Sequence, residues 1–297
     1  MDHDDYDFSF PYGLGQQKCP ICASTSGLLH CGGCKVVSYC SPEHQSAHRS
    51  KHKAACNTVK TTRQALEREE AALRAHPGAW PMPADVFNTA VGNLWGIHGT
   101  RDYMKARLLA ADALVKIDTV VAVEKALQHY TDMLRLCRSD NLGVRDIIPG
   151  LLLRLGREQE CYNFLKWWAT VDDKDHYNRR YDWGDVALPY LDIRDADVFE
   201  PVDMFCSGSA SLCHLAMLTL LKLRLRLDLE TYDSRVRVRW RRLDRVRSAC
   251  WKACAIQSSN LGHARYYDND RGHDGSVPYT LSSRKRCESI LLGCFGR

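Results

Sequence analysis

Four short pairs of metal-ligating side chains inside 38 residues constrain this chain more than any other feature of it. They are Cys19-x2-Cys22, Cys31-x2-Cys34, Cys40-x3-His44 and His52-x3-Cys56. In the first two the backbone must curl so that both sulfurs reach one ion, and Pro20 and the Gly32-Gly33 step suit such turns. In the last two the four-residue spacing puts both ligands on one face of a helix. Eight Cys and His ligands fill two tetrahedral zinc sites and leave no open position for a substrate, which makes the zinc structural. So short a window holds too few apolar residues to fold alone. Metal binding must supply its folding free energy, on the order of 10 kcal/mol per site.

The remaining cysteines agree with this reading. The chain has 14; six lie in the window beside His44, His48 and His52, and the rest are scattered through apolar segments. That is a zinc module plus ordinary buried thiols, as expected of an intracellular protein of the cytoplasm, the nucleus or both. The N-terminal MDHDDYDFSF lacks the apolar run of a signal peptide. The richest apolar run, Leu215–Leu221, gives way to Lys222, Arg224 and Arg226, well short of the roughly 18 residues a membrane span needs.

The full series, C-x2-C-x8-C-x2-C-x4-Y-C-x3-H-x7-H-x3-C with Tyr39 directly before Cys40, resembles the MYND finger. The resemblance implies two interleaved sites, one of Cys19, Cys22, Cys40 and His44, the other of Cys31, Cys34, His52 and Cys56. His44 stands where the family has cysteine. His48, between His44 and His52 on the same helical face, competes for that position; only His44 keeps the family spacing, which leaves His48 as a surface residue. The family also carries glutamine after the sixth ligand and tryptophan four residues later, where proline-containing peptides dock. Here Gln45 is present and the tryptophan position is Arg49, a departure at that docking site.

From Thr58 the pattern turns helical. Thr61–Ala75 is rich in helix formers and stops before Pro77; residues 77–83, with three prolines and a glycine, read as a linker. Further helices are expected at about 84–96, 100–116, 119–138, 143–155 and 157–170. Ala126, Tyr130 and Met133 recur in spacing as Cys161, Leu165 and Trp168, 35 residues on. That period resembles the tetratricopeptide repeat, whose stacked helix pairs make concave peptide-binding surfaces. Trp167 and Trp168, being adjacent, must point apart, one into the core and the other toward a groove or the loop that follows. That loop, 172–205, carries ten acidic against four basic residues; Tyr177, Tyr181, Trp183, Tyr190 and Phe199 predict that it docks at least in part. A helix resumes over 206–230.

The expected fold is therefore mainly α: residues 1–18 flexible, a small two-zinc MYND finger at 19–56, and a repeat-like (TPR-like) helical body at 57–230. An arginine-rich, poorly patterned tail follows at 231–297. The body also resembles helical domains that accompany MYND fingers in fungal proteins. The expected function is a zinc-binding protein–protein interaction adaptor or scaffold in transcriptional or signalling regulation, and not an enzyme. One branch of the MYND family inserts the finger in a lysine methyltransferase domain that needs an Asn-His-x-Cys motif; no Asn-His dipeptide occurs here, and no Walker loop, GxSxG or HExxH. Nucleic acid is the lesser alternative: Arg235–Arg247 holds seven arginines, with aromatic interleaving only at Trp240 and Trp251.

Overall fold

A computed structural model describes residues 14–171, 181–205 and 211–232. The chain divides into two units, Met1–Thr231 and Tyr232–Arg297, and the described residues fall almost wholly in the first. The expectations for 1–13, for Tyr177, for the start of the last helix at 206–210 and for the arginine-rich tail beyond residue 232 lie outside the described residues.

The fold is mainly α. A two-stranded hairpin, β1 (Leu29–His30) and β2 (Ser38–Tyr39), pairs Leu29 with Tyr39 and His30 with Ser38. Then comes α1 (Pro42–Ala75), 34 residues and so about 51 Å long. Its start is locally encoded: the Ser41 side chain accepts from the His44 amide, Pro42 occupies the first turn where no amide donor is needed, and Glu43 faces the positive end of the helix. It ends before Pro77, as the sequence predicts. The expected finger boundary at residue 56 falls inside α1, so the finger and the body share one helix.

The body consists of α2 (Val86–Thr89), α3 (Arg101–Val115), α4 (Val120–Leu136), α5 (Ile148–Arg154), α6 (Glu158–Thr170) and a helix over 212–232, here α7. α3 packs between α1 and α4. Small residues allow the close approach: Ala110 and Ala111 on α3, Ala122 and Ala126 on α4, all buried. Larger side chains, Leu66 and Leu73 of α1, Tyr103 and Met104 of α3, and Tyr130 and Met133 of α4, fill the space between the helices.

Two expectations need correction. The helix expected at 84–96 is a single turn followed by 3-10 turns. Gly92 sits at φ 89°, and its backbone pairs with the end of α4: its amide donates to the Arg135 carbonyl (3.2 Å) and its carbonyl accepts from the Arg138 amide (2.9 Å). Those long-range bonds displace the helical ones. Nor is the repeat-like character of the body established. Ala126, Tyr130, Met133, Cys161 and Leu165 are all buried, yet α5 has seven residues where α3 has 15. Pro149 lies in the first turn of α5 and marks its late start.

Residues 181–205 form no regular element beyond one 3-10 turn at Asp203–Phe205, and they dock as the aromatic count predicts. Trp167, only 5 % exposed, meets Tyr190 and Tyr181 edge-on at 4.9 and 5.8 Å, while Trp168 stacks on Trp183 at 5.6 Å. Both tryptophans therefore pack under the loop. Phe199 stays exposed. Arg138 does what no aromatic count suggests: its guanidinium donates to the carbonyls of Asp185, Val186 and Leu188 (2.9–3.2 Å) and lies over the Tyr190 ring.

Glu200 is the loop's ionic anchor. It accepts from Lys166 Nζ and from the Tyr162 hydroxyl, each at 2.7 Å. Burial alone would raise its pKa, but the two donors and the nearby ammonium groups outweigh burial and hold it below the usual carboxylate range. A carboxyl with a depressed folded pKa stabilises the docked state above its unfolded value, about 4.3, and that contribution is lost as pH falls through the folded value. Tryptophan fluorescence should report undocking of Trp183 from Trp168 only below the ordinary glutamate range. Glu200→Gln should remove that titration; a variant that titrates like the parent would show that Glu200 is not the anchor.

Candidate metal centre

The two knuckles are built alike. The Ala23 amide donates to the Cys19 carbonyl and the Lys35 amide to the Cys31 carbonyl, both at 2.9 Å, and Ala23 and Lys35 both adopt left-handed backbone, at φ 58° and 60°. Each knuckle thereby turns its two sulfurs to one side. The helical ligands come from α1, where His44, His48, His52 and Cys56 descend one flank at four-residue steps.

The eight predicted ligands gather into two groups, Cys19, Cys22, Cys40 and His44, and Cys31, Cys34, His52 and Cys56, with the donor atoms of each group within 4.8 Å of one another. Tetrahedral zinc, with bonds of about 2.3 Å to sulfur and 2.0 Å to nitrogen, sets neighbouring donors roughly 3.5–3.8 Å apart. The observed separations, from 3.1 to 3.7 Å, lie at or somewhat inside that spacing. In the first group Cys22 Sγ is 3.4 Å from Cys40 Sγ, and His44 Nδ1 is 3.6 Å from Cys19 Sγ and 3.1 Å from Cys40 Sγ. In the second, Cys31 Sγ is 3.7 Å from Cys56 Sγ, and His52 Nε2 is 3.4 Å from Cys34 Sγ. The histidines thus offer different nitrogens: His44 in the first turn uses Nδ1, and His52, two turns on, uses Nε2.

The donor chemistry also calls for a cation. Burial and the neighbouring Cys31 and Cys56 push the Cys34 thiol up to about 11; hydrogen bonding with Cys22, with burial, does the same to Cys40. Three thiolates cannot crowd together unless a metal offsets their charge. Cys19 is the exception. Burial opposes its ionisation, yet the backbone N–H groups of Cys40, Cys22 and Ile21 bring it down to about 6. His52 is depressed by burial and by the charges of His48 and Arg49, which keeps it in the neutral form that binds metal.

His48 takes no part in either group. It is half-buried rather than a surface residue, because Tyr39 holds it: the phenol and Nδ1 lie 2.9 Å apart, and the imidazole stacks on His52 at 5.7 Å. Tyr39 is 2 % exposed, and burial raises its hydroxyl to about 12, so it remains neutral. One flank of α1 therefore carries a ligand of the first site, a bolt to β2, and two ligands of the second. The family spacing pointed to Tyr39; nothing local pointed to its partner.

Other residues that sequence reasoning passed over brace the finger, Thr119 and Arg63 from the body and Gln17 from the segment before it. Thr119, which caps α4, donates to the carbonyl of the fully buried Val36 (2.9 Å). Arg63, farther along α1, donates to the Gly33 carbonyl (3.1 Å). Gln17 Nε2 bridges the Val36 carbonyl and Ser38 Oγ. Each contact joins positions 19 to 83 residues apart, out of reach of local pattern.

Residues 18–56 match the family model described as the MYND finger. No curated protein and no solved structure matches the chain. The likenesses of the body to tetratricopeptide units and to fungal helical domains therefore gain no support from comparison. No helix of the described residues is long and apolar enough to cross a membrane. Ligand spacing, the two four-donor clusters and the family match converge: residues 18–56 of this chain are a MYND finger with two structural zinc sites, each of three cysteines and one histidine.

Proposed function

We propose that the protein is an adaptor: its zinc-stapled finger captures one partner protein and its helical body presents a second surface. MYND fingers are in general protein–protein interaction modules, and that much holds for residues 18–56. One observation above all supports the finer reading. The ligand-bearing helix of the finger is also the first helix of the body, so the finger is not a tethered bead but an extension of the helical framework. A partner held on one is held at a set distance from a partner on the other. Both metal groups are closed four-donor sets, as a structural rather than a catalytic role requires.

The test is affinity purification of the full-length chain beside Cys40→Ser and Arg138→Ala. Cys40→Ser removes a ligand of the first zinc site, and Arg138→Ala loosens the loop on the body. Partners lost from one variant and kept by the other would mark two separate surfaces. A single set of partners indifferent to both variants would defeat the adaptor reading. Saturable binding of S-adenosylmethionine would point instead to an enzyme.

A further inference from the structure

We infer that the finger's partner is an acidic peptide segment, held along a row of cations on the flank of α1; this rests on the protein-docking reading above. Between residues 18 and 60 the chain carries Lys18, Lys35, Arg49, Lys51, Lys53 and Lys60 against the lone acid Glu43. A zinc ion with three thiolates and a neutral histidine carries one negative charge, so two such sites and Glu43 offset three of the six cations. Three positive charges remain in surplus. The metal sites do not account for them.

Their placement is ordered. Successive α-helical residues turn by about 100°, which sets Arg49, Lys53 and Lys60 within roughly 40° of one another on one flank. All three are exposed, and among the described residues none makes an ion pair. The row spans about 16 Å along the axis. It adjoins the second knuckle: Cys56 and Gln45 lie at its edge, Gln45 Nε2 approaches Cys31 Sγ at 3.8 Å, and Arg63, one turn past Lys60, reaches the Gly33 carbonyl. Arg49 heads the row. An aromatic side chain there would give a proline-containing peptide an apolar surface; a guanidinium with lysines aligned behind it gives carboxylates a track.

A protein partner fits better than nucleic acid. Single strands are held by stacking on exposed aromatic rings, and the finger's tyrosine, Tyr39, is buried with its hydroxyl engaged by His48. Three aligned cations also fall short of the larger number of phosphate contacts that duplex binding draws on.

The experiment uses the zinc-loaded full-length protein and three fluorescent probes: a proline-free peptide of alternating acidic and serine residues, a neutral proline-rich peptide, and a mixed-sequence DNA duplex. The acidic peptide should bind, and tighten as salt is lowered. Reversing the row with Arg49→Glu, Lys53→Glu and Lys60→Glu should weaken it at least about tenfold. Reversing Lys51, Lys116 and Lys125, which are exposed but off that flank, changes net charge equally and should cost far less. Equal losses from the two triple variants would overturn the proposal, as would tighter binding of the neutral peptide or of the duplex. Zinc content and circular dichroism of each variant establish that the finger is intact. If the acidic peptide fails while partners in the affinity experiment still depend on Cys40, the adaptor reading survives and the acidic one does not.

Discussion

A chelator titrated into the zinc-loaded protein is expected to remove the metal in two steps, the first site before the second. The two sites differ little in donors but sharply in access. In the first, Cys22 is exposed and Cys40 and His44 are half-exposed, so a competing ligand can enter as each protein ligand lets go. In the second, Cys31, Cys34, His52 and Cys56 are all buried under the hairpin, α1 and the Arg63 contact. A colorimetric zinc assay should give one equivalent quickly and one slowly. Cys40→Ser should abolish the fast phase and Cys31→Ser the slow one. Loss of the second metal should cost more helix, because His52 and Cys56 pin the middle of α1 whereas His44 sits in its first turn. Each site is worth on the order of 10 kcal/mol, so the finger should unfold without metal. The contacts among α1, α3 and α4 are formed by Leu66, Leu73, Tyr103 and Tyr130, distant from either site, and should persist. Release of both metals in a single step with equal rates would contradict the difference in access.

The metal sites were legible in the sequence because zinc imposes local rules: each of the four pairs must bring two donors to one ion, and that spacing is visible without a fold. It is visible even though only His52 and Cys56 prove to be a helical pair, Cys40 standing just before the Ser41 cap of α1. Which knuckle joins which of the two later pairs is a different matter. The interleaving came from family resemblance, since either pairing satisfies the spacing. His48 escaped because its partner, Tyr39, lies on a strand while His48 lies on a helix, and only the folded hairpin brings them within 2.9 Å. α1 was visible as helix on both sides of residue 56, and its continuity was not, because a metal module and a helical body look like separate things in composition. The segment 84–96 was misread for a related reason: its apolar content suits a helix, but Gly92 trades helical bonds for pairing with Arg135 and Arg138, more than 40 residues on. Aromatic residues announced that the loop docks. The fork of Arg138 on three carbonyls, which orders that loop, is a tertiary event with no local trace.

The adjacent glycines of the second knuckle separate what pattern can show from what packing adds. In sequence Gly32 and Gly33 are one turn signal. In the structure a Cβ on Gly32 would meet nothing within 4 Å, whereas a Cβ on Gly33 would stand 2.6 Å from Cys56 Sγ and 3.8 Å from Cys31 Sγ. That sulfur cannot yield without leaving the metal, because the other three ligands of the site hold the ion where it is. Neither glycine has positive φ, so backbone strain does not enter and the difference is steric. Gly32→Ala should therefore retain two zinc equivalents and parental stability, within about 0.5 kcal/mol. Gly33→Ala should weaken the second site at least about tenfold, the scale expected when a ligand is pushed from its coordinating geometry. Its slow chelation phase should become fast while the first site is unchanged. Metal analysis by mass spectrometry under native conditions would read both variants directly. Two alanine variants that behave alike would mean that Gly33 does not abut Cys56, and that the second site is not packed against its own knuckle in this way.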